Sequence, residues 1–108
     1  MIHVHLTERA VTIKGHAYYD SPGKDIICAG ISALADTLAI SITELCTDMV
    51  SCIQENGNIR IKFEDKSLSE HAQLLISSFS LGVQGIAEVY PDYVHYVDLR
   101  PGLRVDKP

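Results

Sequence analysis

Apolar and polar residues alternate at the start of the chain, with Ile2, Val4 and Leu6 on one side and His3 and His5 on the other. Period two marks a strand with one buried face. Residues 10–15 repeat the pattern, Val11 and Ile13 against Thr12 and Lys14. Only Thr7, Glu8 and Arg9 intervene, so the two runs predict an antiparallel hairpin. A loop follows from His16 to Lys24, holding Pro22 and Gly23. The period then lengthens: Ile27, Ile31, Leu34, Leu38, Ile42, Leu45, Met49 and Ile53 stand three and four apart, the stripe of an amphipathic helix. This predicts one helix capped by Asp25, running to about residue 54 and ended by Asn56-Gly57-Asn58. A second set (Ala29, Ala33, Ala35, Ala39, Ile40, Cys46, Val50) widens the apolar surface, which implies cover on more than one side. In a small chain a second copy of the protein is the expected source of that cover.

Residues 59–64 alternate again, Ile59, Ile61 and Phe63 against Arg60, Lys62 and Glu64, and predict a strand. Ser67 with Glu70 reads as a capping box opening a second helix, with Leu68, Ala72, Leu75, Phe79, Val83 and Ile86 inward. Pro91 and Asp92 stop it, and residues 93–99 predict a last strand. The order β-β-α-β-α-β gives an α+β, two-layer fold with a mostly antiparallel four-stranded sheet and two helices. Residues 1–99 are expected to form a single domain and 100–108 a mobile polar tail. No repeat, low-complexity run or linker divides the chain.

Composition narrows the function classes. The 108 residues carry 9 Lys and Arg against 14 Asp and Glu, a net charge of −5. A nucleic-acid grip needs a basic face to displace counterions, so direct binding of nucleic acid is not expected. The three cysteines, Cys28, Cys46 and Cys52, form no CxxC pair, which fits free thiols in a reducing cytosol better than a disulfide framework. The N-terminus lacks a signal-peptide core. The apolar stretch from Ile26 to Ile42 is interrupted by Ser32, Asp36, Thr37 and Ser41 and reads as too short for a membrane span. A cytoplasmic protein without membrane contact is expected.

Candidate chemistry concentrates where the second strand meets the helix. With Asp25 as cap, Cys28 falls in the first helical turn, where unpaired amides and the helix dipole favour a thiolate. His16 leaves the adjacent strand at the start of the loop, and a neutral imidazole beside a thiol can take its proton. Ser32 lies one turn beyond Cys28 on the same face. Asp25 can cap the helix, orient His16, or do both. Spacing alone first reads Cys28 as a small buried hydrophobe and His16 as a strand-end surface residue. The run Tyr18, Tyr19, Asp20, Ser21, Pro22, Gly23 and Lys24 over the helix start reads as a substrate flap. First-turn amides around Cys28 and Ala29 are expected to receive an oxyanion. His3 and His5 share one strand face, but a closed zinc site needs four ligands and only His95 and His16 are left to join. An exposed polar face, with no metal and no cofactor, is the expectation there.

The stretch GHAYYDSPGKDIICAGISAL resembles the ribosomal-processing cysteine protease family (Prp-like) of Firmicutes and related bacteria. The family pattern of Gly-His, a glycine-containing loop, then Gly-x-Asp-Ile-x-Cys-Ala and a serine four residues on, falls here on Gly15, His16, Gly23, Asp25, Ile26, Cys28, Ala29 and Ser32. IAEVYPDYVHY, residues 86–96, is similar to the family's closing segment. The resemblance implies a homodimeric peptide hydrolase of the fold inferred above, a thiol protease with Cys28 as nucleophile and His16 as general base. Asp25, Ser32 and Gly15 become supporting residues. The implied substrate is the N-terminal extension of bacterial large-subunit ribosomal protein twenty-seven, cut after a short segment ending in two phenylalanines during ribosome biogenesis. Two departures stand out: Tyr18, Tyr19, Ser21 and Pro22 make the loop bulkier than the family's, and the tail after Leu99 is longer. Alternatives are a prophage-encoded relative that processes a virion precursor protein, and a non-catalytic dimeric scaffold with an inert cysteine. A ribosome- or RNA-binding module is disfavoured by the acidic balance and 6% aromatic content.

Overall fold

The computed structural model describes residues 1–21, 24–55, 57–64 and 67–100. Five strands and two helices follow in the order β1 (Ile2–Leu6), β2 (Ala10–Lys14), α1 (Ile26–Leu45), β3 (Val50–Glu55), β4 (Asn58–Phe63), α2 (Glu70–Val89) and β5 (Val94–Asp98). The strands form one mixed sheet ordered β3-β4-β2-β1-β5. Three of its pairings are antiparallel and one, β1 with β5, is parallel. The α+β class holds, and the sheet has five strands where four were expected.

Period two does what the sequence promised. Ile2, Val4, Leu6, Val11, Ile13, Ile61, Phe63 and Val94 are buried on one face of the sheet, and His3, His5, Lys14, Arg60, Lys62 and His95 are exposed on the other. Both helices cover the apolar face and touch each other. Ile27, Ile31, Ala35, Leu38 and Ile42 of α1 and Ile76, Phe79 and Val83 of α2 complete the core. Full burial of each large side chain contributes ~1.5–3 kcal/mol.

The long helix is half helix and half strand. α1 stops at Leu45, where Cys46 turns extended (φ −121°, ψ 162°) while its amide still reaches the Ile42 carbonyl. Asp48 then accepts hydrogen bonds from the Ser69 amide and hydroxyl, fixing the chain after the helix to the start of α2. Leu45, Met49 and Ile53 continue the three-four spacing only by coincidence, and all three are exposed. Asn-Gly is the strongest short hairpin signal. Here Gly57, at φ +76°, sits between β3 and β4 where Glu55 pairs with Asn58, rather than ending a helix. Asn56 lies outside the described residues. Cys46 and Cys52 therefore do not share a helix: Cys46 ends α1 and Cys52 lies exposed on β3.

α2 is capped two residues later than the capping box predicts. Ser69, not Ser67, is the N-cap, its hydroxyl accepting from the Ala72 amide. Ser69 wins because Asp48 orients that hydroxyl. α1, at 20 residues, is long and apolar enough to cross a membrane by length and composition, contrary to the sequence reading. In this fold its buried stripe packs on the sheet and on α2. Of the expected tail, Arg100 bridges Asp98 at 2.7 Å, and residues 101–108 lie outside the described residues.

Candidate active site

Asp25 builds the start of α1. One carboxylate oxygen accepts from the Ile27 and Cys28 amides at 3.1 and 3.0 Å, and the other accepts from the Tyr19 amide at 3.0 Å. The cap therefore ties the loop to the helix as well as satisfying two orphan amides. Burial pushes the Asp25 carboxyl up. Bonds from the Cys28 and Tyr19 amides, the Cys28 thiol and the Ile27 amide outweigh it and hold the group below its usual range. No hydrogen bond joins Asp25 to His16 among the described residues, so of its two expected roles the structure displays the cap.

Cys28 sits in that first turn, half-buried, as the capping argument required. Its Sγ accepts a hydrogen bond from the Ala17 amide at 3.3 Å. The expected oxyanion donors are both occupied: the Cys28 amide is bonded to the Asp25 carboxylate and the Ala29 amide to the Asp25 carbonyl at 3.1 Å. The side-chain cap takes the Cys28 amide, and the helix's own first backbone bond takes that of Ala29.

His16 is placed by residues at the start of β1, at the end of β2 and in the turn between β3 and β4. The Gly15 amide donates to the Gly57 carbonyl at 2.7 Å, and the His16 carbonyl accepts from the Met1 amino group at 2.7 Å. Gly15 has φ +92°, and a Cβ there would lie 2.5 Å from the Met1 carbonyl oxygen, so only glycine fits. Gly57 leaves room for the imidazole itself: a Cβ on it would fall 2.8 Å from Nε2 of His16.

His16, Cys28, Ser32 and Gly15 line one cavity of about 170 Å³, floored by Ile2, Ile13, Ile31 and Ile59. The imidazole and thiol share this cavity without a direct hydrogen bond, a contact that in hydrolases often tightens only when substrate binds. Gln54, Glu55, Gly57 and Asn58 form the remaining wall. Sequence reading missed these four because it placed them in or after a helix; the Asn-Gly pair was the signal that could have found them.

The proposed flap is anchored on one side. Tyr19 packs edge-on against Tyr90 and Tyr93, with ring centroids 5.6 and 5.2 Å apart. Tyr18 is 77% exposed, at a positive φ of 56° uncommon for a bulky residue, and its ring lies 5.7 Å from that of His16. Asp20 accepts from the Ser21 amide, and the Ser21 carbonyl accepts from the Lys24 amide. Pro22 and Gly23 lie outside the described residues.

Comparison with known proteins finds the same fold elsewhere. An essential ribosomal processing protease Prp from S. aureus, in complex with a covalently linked product peptide, shares the fold at a TM-score of 0.80 and 23% identity, over 90% of this chain and 96% of the other. The same S. aureus enzyme with a substrate peptide gives 0.75 and 22%, over the same shares. SMU.848 from Streptococcus mutans gives 0.72 and 27% identity, over 94% of this chain and 96% of that one. No curated protein matches the chain. The profile of the cysteine protease Prp family matches residues 1–95, the span that carries both helices, the capped cysteine and the histidine beside it. This chain belongs to the cysteine protease Prp family and is a peptide hydrolase.

Proposed function

We propose that the chain is a cytoplasmic endopeptidase that removes the N-terminal extension of bacterial large-subunit ribosomal protein twenty-seven, with Cys28 as nucleophile and His16 as general base. The observation that carries the reading is the shared cavity, into which one element brings a first-turn thiol and another an imidazole. The S. aureus relatives, described as ribosomal processing proteases that hold substrate and covalent product peptides, support the substrate class.

Sγ of Cys28 attacks the scissile carbonyl carbon, and its proton passes to His16. The tetrahedral oxyanion forms next to the sulfur. The Ala17 amide, which donates to Sγ at 3.3 Å, would pass from the sulfur to that oxygen to stabilise it. The C–N bond then breaks as His16 protonates the leaving amine. Water hydrolyses the thioester, giving its proton to His16, and the thiol is restored. Ser32 lines the same cavity as a supporting residue, and Tyr18 to Lys24 act as the flap that covers the bound peptide.

We further infer a homodimer. Ile40 and Leu45 of α1 and Met49 just after it are each more than half exposed, apolar side chains that a second copy would cover. Sedimentation at micromolar concentration reads this directly: a monomer there overturns it.

Mass spectrometry of two peptides tests the substrate, one with the double-phenylalanine site and one with that site mutated. A single cut after the second phenylalanine, absent from the mutated peptide and from Cys28→Ser, is expected. No cut of either peptide by folded protein would remove the ribosomal substrate and direct the search to virion precursors.

A further inference from the structure

We propose that His3, His5 and His95 form a binding site for one divalent transition-metal ion on the open face of the sheet. Period two puts His3 and His5 of β1 on that face, and the parallel pairing of β5 sets His95 directly opposite His3. The chain separates His95 from the other two by about ninety residues, so the trio exists only through this pairing. The three rings stand 5.5, 6.1 and 6.4 Å apart, centroid to centroid, in mutually tilted planes. All three side chains are exposed, and one nitrogen from each lies within 4.8 Å of the others. Tetrahedral zinc bound by imidazoles needs nitrogens about 3.3 Å apart. Small rotations of exposed rings close that gap.

The surroundings select the ion. Cross-strand neighbours on this face are Lys14 beside His3, and Thr12 and Val97 beside His5, so among the described residues no carboxylate joins the set. An all-imidazole site favours zinc, nickel and copper over magnesium and calcium. Three protein ligands leave the fourth position to water. Lys14 is the nearby cation, and its flexible stem lets the ammonium stand away in water. The site is separate from the thiol: His3 faces away from the helices, while its neighbour Ile2 lines the cavity that holds Cys28. A bound ion would clamp β1 to β5 and so hold that wall in place.

Cobalt, an optical stand-in for zinc, tests the site in the tag-free, reduced chain. One equivalent is expected to bind with visible d–d bands and no thiolate-to-metal charge-transfer band. His95→Gln and His5→Gln should each weaken binding at least about ten-fold, the least that losing even an outer partner costs. His71→Gln, on α2, should leave it unchanged. The exposed positions allow the metal-free variants to melt with the wild type. Absence of saturable binding, a thiolate band, or equal affinity in His95→Gln and His5→Gln would overturn the site.

Discussion

Gly57→Ala probes the placement of His16 without touching the thiol. The added Cβ would lie 2.8 Å from Nε2 and 3.3 Å from Cδ2, where ordinary contact begins near 3.4 Å. The ring must therefore yield by about 0.6 Å, and in an enzyme a misplacement of 1 Å can cost ~10²-fold. A kcat/KM ten-fold or more below wild type on a cleavable peptide is expected by the same argument. Alanine at φ +76° separately costs about 1–2 kcal/mol of stability. A domain with about 5–15 kcal/mol in hand remains folded at 25 °C, so unfolding does not explain the loss. Urea midpoints and kcat/KM measured together separate the two effects, and a cycle with His16→Ala isolates the pair. If the clash acts through the imidazole, Gly57→Ala adds little to His16→Ala. Wild-type kcat/KM in Gly57→Ala, or an equal further loss in the His16→Ala background, would refute the reasoning.

Asp25→Ala frees three amides at once and is expected to lower stability by about 1–2 kcal/mol in urea unfolding, with Asp25→Asn losing much less. Three carboxylates should make the protein acid-labile. Hydrogen bonds from Ser69 lower Asp48; burial raises Asp25 and Asp98, but amide bonds and the Cys28 thiol in one case, and Arg100 and Tyr96 in the other, pull both below the usual range. A lowered carboxyl contributes fully above its unfolded value of about 3.9 and loses that contribution as pH falls through the folded value. Urea midpoints should therefore drop below about pH 4, and Asp48→Asn should flatten that drop. Tyr19→Ala removes the ring that rests on Tyr90 and Tyr93 and should raise KM more than it lowers kcat, as read from initial rates on the double-phenylalanine peptide.

Local chemistry made the start of the site legible. Asp25 before an apolar run fixes the first turn, and that turn carries Cys28 wherever the rest of the chain goes. Strict alternation fixed β1, β2 and β4 because each buries one face only. β3 was hidden because its five residues after Val50 are all exposed, so it has no buried face to alternate against. Leu45, Met49 and Ile53 meanwhile mimicked a helical stripe across a break made by Asp48 and Ser69, a contact between residues 21 apart. The far wall of the cavity and the grouping of His95 with His3 and His5 arise from such long-range pairing, which single-sequence periodicity does not carry. The occupancy of the first-turn amides has a nearer cause: the Asp25 carboxylate takes the Cys28 amide and the Asp25 carbonyl takes that of Ala29.

Cleavage of the double-phenylalanine peptide by wild type and by Cys28→Ser, each shown folded by its urea midpoint, tests the central claim most directly. Complete loss of the cut at an unchanged midpoint is the expected result. A cut retained by Cys28→Ser would contradict Cys28 as the nucleophile.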